Sequence, residues 1–222
     1  MLLNPFLMIV VLLYVSDLFV LVPMYTASKY DHSPRKNKLI RKGICIAIPL
    51  AVFVTGFLMK SFSDVLKLYM AVMVLGMLLC AFGDIILEIR FIKGGFLFLG
   101  GHFLYVCGMI LYAGKITSVT VIVYFVLAAL GTFLTYDKLD KKYRKYLIGY
   151  NLMISATFAL GITLFATNKL VNMLFGTGAM FLVVSDWLLA RNKMVGSNFK
   201  RSLISLLFYF GGQILISSVV LF

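Results

Sequence analysis

Apolar runs of about 20 residues recur along the whole chain, and each is long enough to cross ~30 Å of hydrocarbon as a helix. They fall at 2–22, 43–59, 66–87, 96–112, 118–136, 146–166, 170–190 and 202–222. A backbone in lipid has to satisfy its own hydrogen bonds, so continuous apolar runs dictate helices. Composition agrees. Of 222 residues, 62% are hydrophobic and 13% are charged, which is more apolar surface than a soluble domain can hide. The alternating ten-residue segments of a barrel are lacking. The expected fold is therefore all-α: a polytopic membrane protein, one domain over 1–222, built as a bundle of eight transmembrane helices. The first run has no basic segment before it and its positive charge follows it, which marks an uncleaved span instead of a signal peptide.

The net charge of +13 does not indicate nucleic-acid binding, because the basic residues lie between apolar runs. All of them follow the first, third, fifth or seventh run, except Lys60, Lys67, Lys115 and Lys169. Lys and Arg mark cytoplasmic loops. The expected orientation puts those loops in the cytoplasm and both termini outside, in a multi-pass cell-membrane protein. Cys45, Cys80 and Cys107 lie in apolar runs at unrelated spacings. They read as small core residues, and no metal-ligand spacing is present.

Against this background, ionisable residues inside the runs stand out. Each costs roughly 2.5–3.5 kcal/mol at a helix centre on insertion scales. Asp84 and His102 flank the loop of Phe82–Tyr105, FGDIILEIRFIKGGFLFLGGHFLY, and Asp186 lies near the end of the seventh run. With Glu88, Gly95 and Arg191 as the membrane edge, helical rise puts Asp84 ~6 Å, His102 ~10 Å and Asp186 ~8 Å deep, in one shallow layer. Tyr209 and Gln213 lie ~12 and ~18 Å from Arg201. Gly76, Cys80 and Asp84 share a helix face, as do Tyr146, Tyr150, Met153 and Thr157, and Ser205, Tyr209, Gly212 and Gln213. Gly101, Tyr105 and Gly108 run beside His102. Such small and polar seams face the interior of a bundle. Asp17 and Glu88 read as interfacial. Gly83-Asp84 and Ser185-Asp186 end equivalent patterns four runs apart, which suggests a parallel four-plus-four repeat.

The same residues carry a family resemblance. FGDIILEIRFIKGGFLFLGGHFLY resembles the YhhN/lysoplasmalogenase signature, a GDxxL followed by a GHxxY in the next span. GAMFLVVSDWLLARNK resembles its second signature, NFKRSLISLLFYFGGQILI its last span, and Tyr150 to Met153 its sixth. The family usually has Lys-Pro-Leu where the second span begins. Here Arg41-Lys42-Gly43 reaches Pro-Leu only at Pro49-Leu50, a departure that leaves the role of Lys42 open.

The resemblance implies hydrolysis of the vinyl-ether bond of lysoplasmalogens, lysophospholipid substrates held among membrane lipids, giving a fatty aldehyde and a glycerophospho-base. That chemistry needs a protonated acid to deliver a proton to the β-carbon and a second group to activate water and offset positive charge. Asp84 and Asp186 are the expected acid and base, with their assignment open, and His102 orients one of them or the water. Tyr105, Tyr150, Tyr209 and Gln213 are expected to line the cavity, and Arg90, Lys93 and Arg191 to meet the phosphate. No cofactor or metal is expected. A proton-coupled carrier using the same acids is the alternative, and a non-catalytic membrane scaffold the third reading.

Overall fold

The computed structural model describes residues 5–31, 33–60, 64–113, 116–136 and 144–222. Lys115, Lys138, Lys141 and Lys142, used above for orientation, lie outside the described residues. Every regular element among the described residues is helical. In order they are α1 (Pro5–Ser16), a π-helical turn (Asp17–Leu21), α2 (Val22–Tyr30), α3 (Arg35–Met59), α4 (Asp64–Leu87), α5 (Phe91–Ala113), α6 (Ser118–Tyr136), α7 (Arg144–Phe165), α8 (Leu170–Val195), α9 (Phe199–Ser218) and a closing 3-10 turn (Val219–Leu221). The first three form one continuous rod, so the eight expected runs appear as eight helical units. Seven are long and apolar enough to span a membrane, and α6 is apolar over Ser118–Phe133. The chain is a helical, multi-pass membrane protein.

The helices start and stop for local reasons. Asn198 caps α9, its side chain accepting from the Arg201 N–H at 2.9 Å. Gly196 takes φ 87° just after α8, a conformation that glycine adopts without strain.

Three expectations are corrected. Residues 23–42, which lie between the first two apolar runs and were therefore expected as a loop, are mostly helical: α2 runs to Tyr30 and α3 begins at Arg35. Pro23 sits in the first turn of α2, directly after the π turn. The wider turn relieves the clash between a proline ring and the carbonyl four residues back. Lys42 is therefore not a loop residue. It lies inside α3 and is buried.

The third correction concerns helix ends. α5 starts at Phe91 and α8 runs to Val195, so both helices extend past the expected edges at Gly95 and Arg191. His102 and Asp186, 2.8 Å apart, share a layer of the bundle, and Asp84 lies in the last turn of α4.

Six helices close into a ring. α3 packs on α4, α4 on α5, α5 on α7, α7 on α8, α8 on α9, and α9 on α3. The α1–α2 rod leans on α3 and α9 from outside, and α6 leans on α7. Both outer helices keep apolar side chains exposed, among them Leu12, Phe19, Ile122 and Phe125, as lipid-facing helices do. Within the ring, glycines bring backbones together. A Cβ on Gly178 would lie 2.8 Å from the Gly212 carbonyl oxygen, and one on Gly212 equally 2.8 Å from that of Gly178. Gly76 lies against the Tyr105 ring and the Gly101 carbonyl, so the small strip leading to Asp84 faces α5 as its spacing predicts.

Candidate active site

Two buried acid centres occupy the ring. In the first, α4 presents Asp84 in its last turn and α3 presents Lys42. The Lys42 ammonium lies 2.9 Å from Asp84 Oδ1, donates to the Asp84 main-chain carbonyl at 2.8 Å, and lies 3.4 Å from Glu88 Oε1. Lys42 is 2% exposed and Asp84 5%. A cation at a helix C-terminus complements the unpaired carbonyls there, which accounts for the pose of Lys42. Glu88 also accepts from the Tyr25 hydroxyl and pairs with Lys29 at 3.3 Å. The Tyr209 hydroxyl lies near enough to the Asp84 carboxyl to interact with it, yet no hydrogen bond of ordinary length reaches Asp84 Oδ2.

The second centre joins α5, α7 and α8. Asp186 Oδ2 lies 2.8 Å from His102 Nε2 and accepts from the Tyr150 hydroxyl at 2.8 Å. On its other side, His102 Nδ1 lies 3.2 Å from Thr157 Oγ1, which is also 3.2 Å from the Met153 carbonyl. Thr157 has one hydroxyl hydrogen to place. If it goes to Met153, His102 carries a proton on Nδ1 and the contact between Nε2 and Oδ2 needs a second one. If it goes to Nδ1, one proton on Nε2 suffices. Rotation of a single hydroxyl thus matches the pair to two protonation states, a geometry suited to giving and taking a proton.

The two centres are neighbours without being a carboxylate dyad. Each acid has its own partner, Lys42 or His102, and no hydrogen bond joins the acids among the described residues. The Cys80 thiol, one turn before Asp84 on α4, lies within electrostatic range of both. Tyr105 packs edge-on against His102, with ring centroids 6.0 Å apart, and its hydroxyl donates to Gln213 Oε1 at 3.4 Å. Tyr209 stacks edge-on against Phe98. Tyr105, Tyr150, Tyr209 and Gln213 therefore all lie around the two acids. Arg90, Lys93 and Arg191 do not; they are exposed near the helix ends that flank Asp84 and follow Asp186.

The family model described as YhhN family matches residues 37–220. The chain belongs to the YhhN family. No match was found among curated proteins or among solved structures. The YhhN match contains Lys42, Asp84, His102, Tyr150 and Asp186, whereas Tyr25 and Lys29 come from the rod that precedes it. The charge count of the sequence had assigned Lys42 to topology. A usable signal was present: Lys42, Cys45 and Pro49 fall at i, i+3 and i+7, on one face of α3, and all three are buried. Thr157 lay on the polar seam of its helix, but its role depends on where His102 points, which spacing does not reveal.

Proposed function

We propose that this YhhN protein is a lysoplasmalogenase-type ether hydrolase acting within the membrane. Family membership supports the reading, and the observation that carries it is the buried His102–Asp186–Tyr150 cluster beside the Lys42–Asp84 ion pair. In the proposed reaction the His102–Asp186 pair gives its proton to the β-carbon of the vinyl ether. The adjoining carbon becomes an oxocarbenium ion. The Asp84 carboxylate, held by Lys42, offsets that charge and takes a proton from the attacking water. The hemiacetal then collapses to a fatty aldehyde and a glycerophospho-base. One water is consumed and nothing is oxidised or reduced. Tyr150 holds Asp186 in place. Arg90, Lys93 and Arg191, exposed at the helix ends, are the candidates to meet the phosphate. The cavity lined by Tyr209 and Gln213 is about 10 Å³, far smaller than a lipid chain, so entry requires helices to part.

The placement of partners also supports the parallel four-plus-four repeat, while the orientation with the basic loops in the cytoplasm and both termini outside is proposed from the charge distribution alone. Asp84 on α4 is held from the preceding helix α3 by Lys42 and approached from α9 by Tyr209. Asp186 on α8 is held from the preceding helix α7 by Tyr150 and approached from α5 by His102. Shifting by four helical units carries one set onto the other, and the packing pairs α3–α4, α4–α5 and α5–α7 onto α7–α8, α8–α9 and α9–α3.

The test is purified protein with 1-alkenyl lysophosphatidylethanolamine, following aldehyde release. Activity that falls about 10²-fold or more in Asp186→Asn and His102→Ala supports the assignment. Equal activity in these variants overturns it. The burial of His102 and Asp186 among membrane-spanning helices also suits one other reading, a proton-coupled carrier. Substrate flux in proteoliposomes without aldehyde release would establish that instead.

A further inference from the structure

Three donors from α2 and α3 converge on one oxygen. Glu88 lies in the short turn between α4 and α5. Its Oε1 accepts from the Tyr25 hydroxyl and lies 3.3 Å from the Lys29 ammonium and 3.4 Å from that of Lys42. Both ammoniums also sit over the Tyr25 ring, 4.9 and 5.7 Å from its centroid, close enough for cation–π attraction. The result is a cradle for an oxyanion. Burial alone would raise the Glu88 carboxyl, yet Lys42 and Lys29 bring it down to about 2. Glu88 fills the cradle imperfectly, because one carboxylate oxygen offers about two lone-pair sites to these donors. A phosphate presents several acceptor oxygens and can satisfy all three.

The cradle reaches the surface, and Asp84 lies behind it. The Lys29 and Glu88 side chains are 28% and 20% exposed, those of Lys42 and Asp84 3% and 7%. Glu88 directly follows the membrane-spanning stretch of α4. Met24 and Ile89, next in sequence to Tyr25 and Glu88, expose apolar side chains. This setting suits the headgroup of a lipid. An exit for Glu88 is also present: the exposed Arg35 already donates to its main-chain carbonyl at 3.3 Å, so a guanidinium stands ready to take the carboxylate in water.

We propose that Tyr25, Lys29 and Lys42 form a binding site for the phosphodiester of a lysolipid headgroup, and that Glu88 occupies it until the lipid arrives. Taking that lipid as the substrate rests on the ether-hydrolase reading. Lys42 then joins the two ends of the reaction. Its ammonium meets both the cradle and Asp84, and in a lysoplasmalogen the phosphate and the vinyl ether hang from the same glycerol. A phosphate anchored on Lys42 therefore holds the ether near the Asp84 carboxylate. One anion replaces another, so the two lysines keep a counter-charge throughout. Arg90, Lys93 and Arg191, exposed at helix ends, attract the headgroup from water. Tyr25 and Lys29 precede the stretch matched by the family model, so the rod supplies this part of the site.

The experiment uses full-length protein in phosphate-free maltoside micelles. Two uncleavable probes are compared by isothermal titration: 1-alkyl lysophosphatidylethanolamine, and 1-alkylglycerol, which lacks the phosphate. Wild type should bind the first about tenfold or more tightly. Lys29→Gln and Tyr25→Phe should each weaken binding of the phosphate probe about tenfold. Glu88→Gln should strengthen it about fivefold or more, because the resident competitor has lost its charge. The opposite signs separate this site from a purely structural ion-pair network, in which all three variants loosen the rod and weaken binding together. That common weakening overturns the proposal, as does equal binding of the two probes by wild type. Lys29→Gln and Tyr25→Phe decide alone where Glu88→Gln does not fold: an unchanged preference for the phosphate probe in both overturns the site. Millimolar inorganic phosphate should leave the lipid probe bound; its displacement overturns the lipid assignment in favour of a soluble phosphate. Phosphate-selective binding without aldehyde release from the 1-alkenyl lipid refutes the hydrolase reading and leaves the site standing. Aldehyde release without phosphate selectivity does the reverse.

Discussion

Lys42 on α3 bonds Asp84 on α4 twice, through the carboxylate at 2.9 Å and through the main-chain carbonyl at 2.8 Å. One side chain thus neutralises a buried acid, closes the end of a helix, and ties two neighbours of the ring together.

Removing it should be costly. Lys42→Met leaves Asp84 buried without its counter-charge, for which about 3–5 kcal/mol of destabilisation is expected. Thermal unfolding in detergent measures this. The double variant Lys42→Met, Asp84→Leu should recover much of the loss, because replacing both partners removes the uncompensated charge. A double variant as unstable as the single one contradicts the pairing.

Tyr150→Phe removes one hydrogen bond to Asp186 and keeps the ring. A bond to a charged group contributes roughly 1.5–3 kcal/mol, so kcat should fall by about one to two orders of magnitude while the fold stays intact. Thr157→Val should have a smaller effect on kcat, because Thr157 touches His102 and not Asp186. Steady-state kinetics of the two variants side by side check the order.

The glycines should divide sharply by position. Gly212→Ala sets a Cβ 2.8 Å from the Gly178 carbonyl, and backbone cannot yield as a side-chain tip can. Destabilisation of about 1–3 kcal/mol is expected. Gly43→Ala meets nothing within 4 Å and should be neutral or stabilising by about 0.5–1 kcal/mol. Melting temperatures of both variants give the comparison.

Asp17 presents the opposite case. It is fully buried in the π turn, and neither carboxyl oxygen has a hydrogen-bond partner. It was expected at the interface and is not there. Asp17→Val should raise stability by about 1–3 kcal/mol, since an orphaned polar group is removed. A large loss of aldehyde release in a well-folded Asp17→Val protein would instead place this acid in the mechanism.

The fold was largely legible in the sequence. Helix ends were harder: α3 was read as starting at 43 and starts at Arg35, because the basic residues there look like a loop on hydropathy alone. A lysine can lie along a helix and extend its charge toward a polar partner. The acids of the candidate site were also legible, since Asp84, His102 and Asp186 are conspicuous in apolar surroundings. Their partners were legible in part. His102 was expected to orient one of the acids or the water, and it meets Asp186 at 2.8 Å; Lys42 beside Asp84 was not expected.

The division has a physical cause. Inside hydrocarbon each helix satisfies its own backbone, so the number and rough extent of the spans follow from local sequence and were determined by it alone. The same holds for the presence of buried acids that call for partners. Which partner each acid receives depends on how helices rotate and pack about one another, and residues 42, 84, 102 and 186 come from four different helices. Only the closed ring, with its glycine contacts, sets Lys42 against Asp84 and His102 against Asp186.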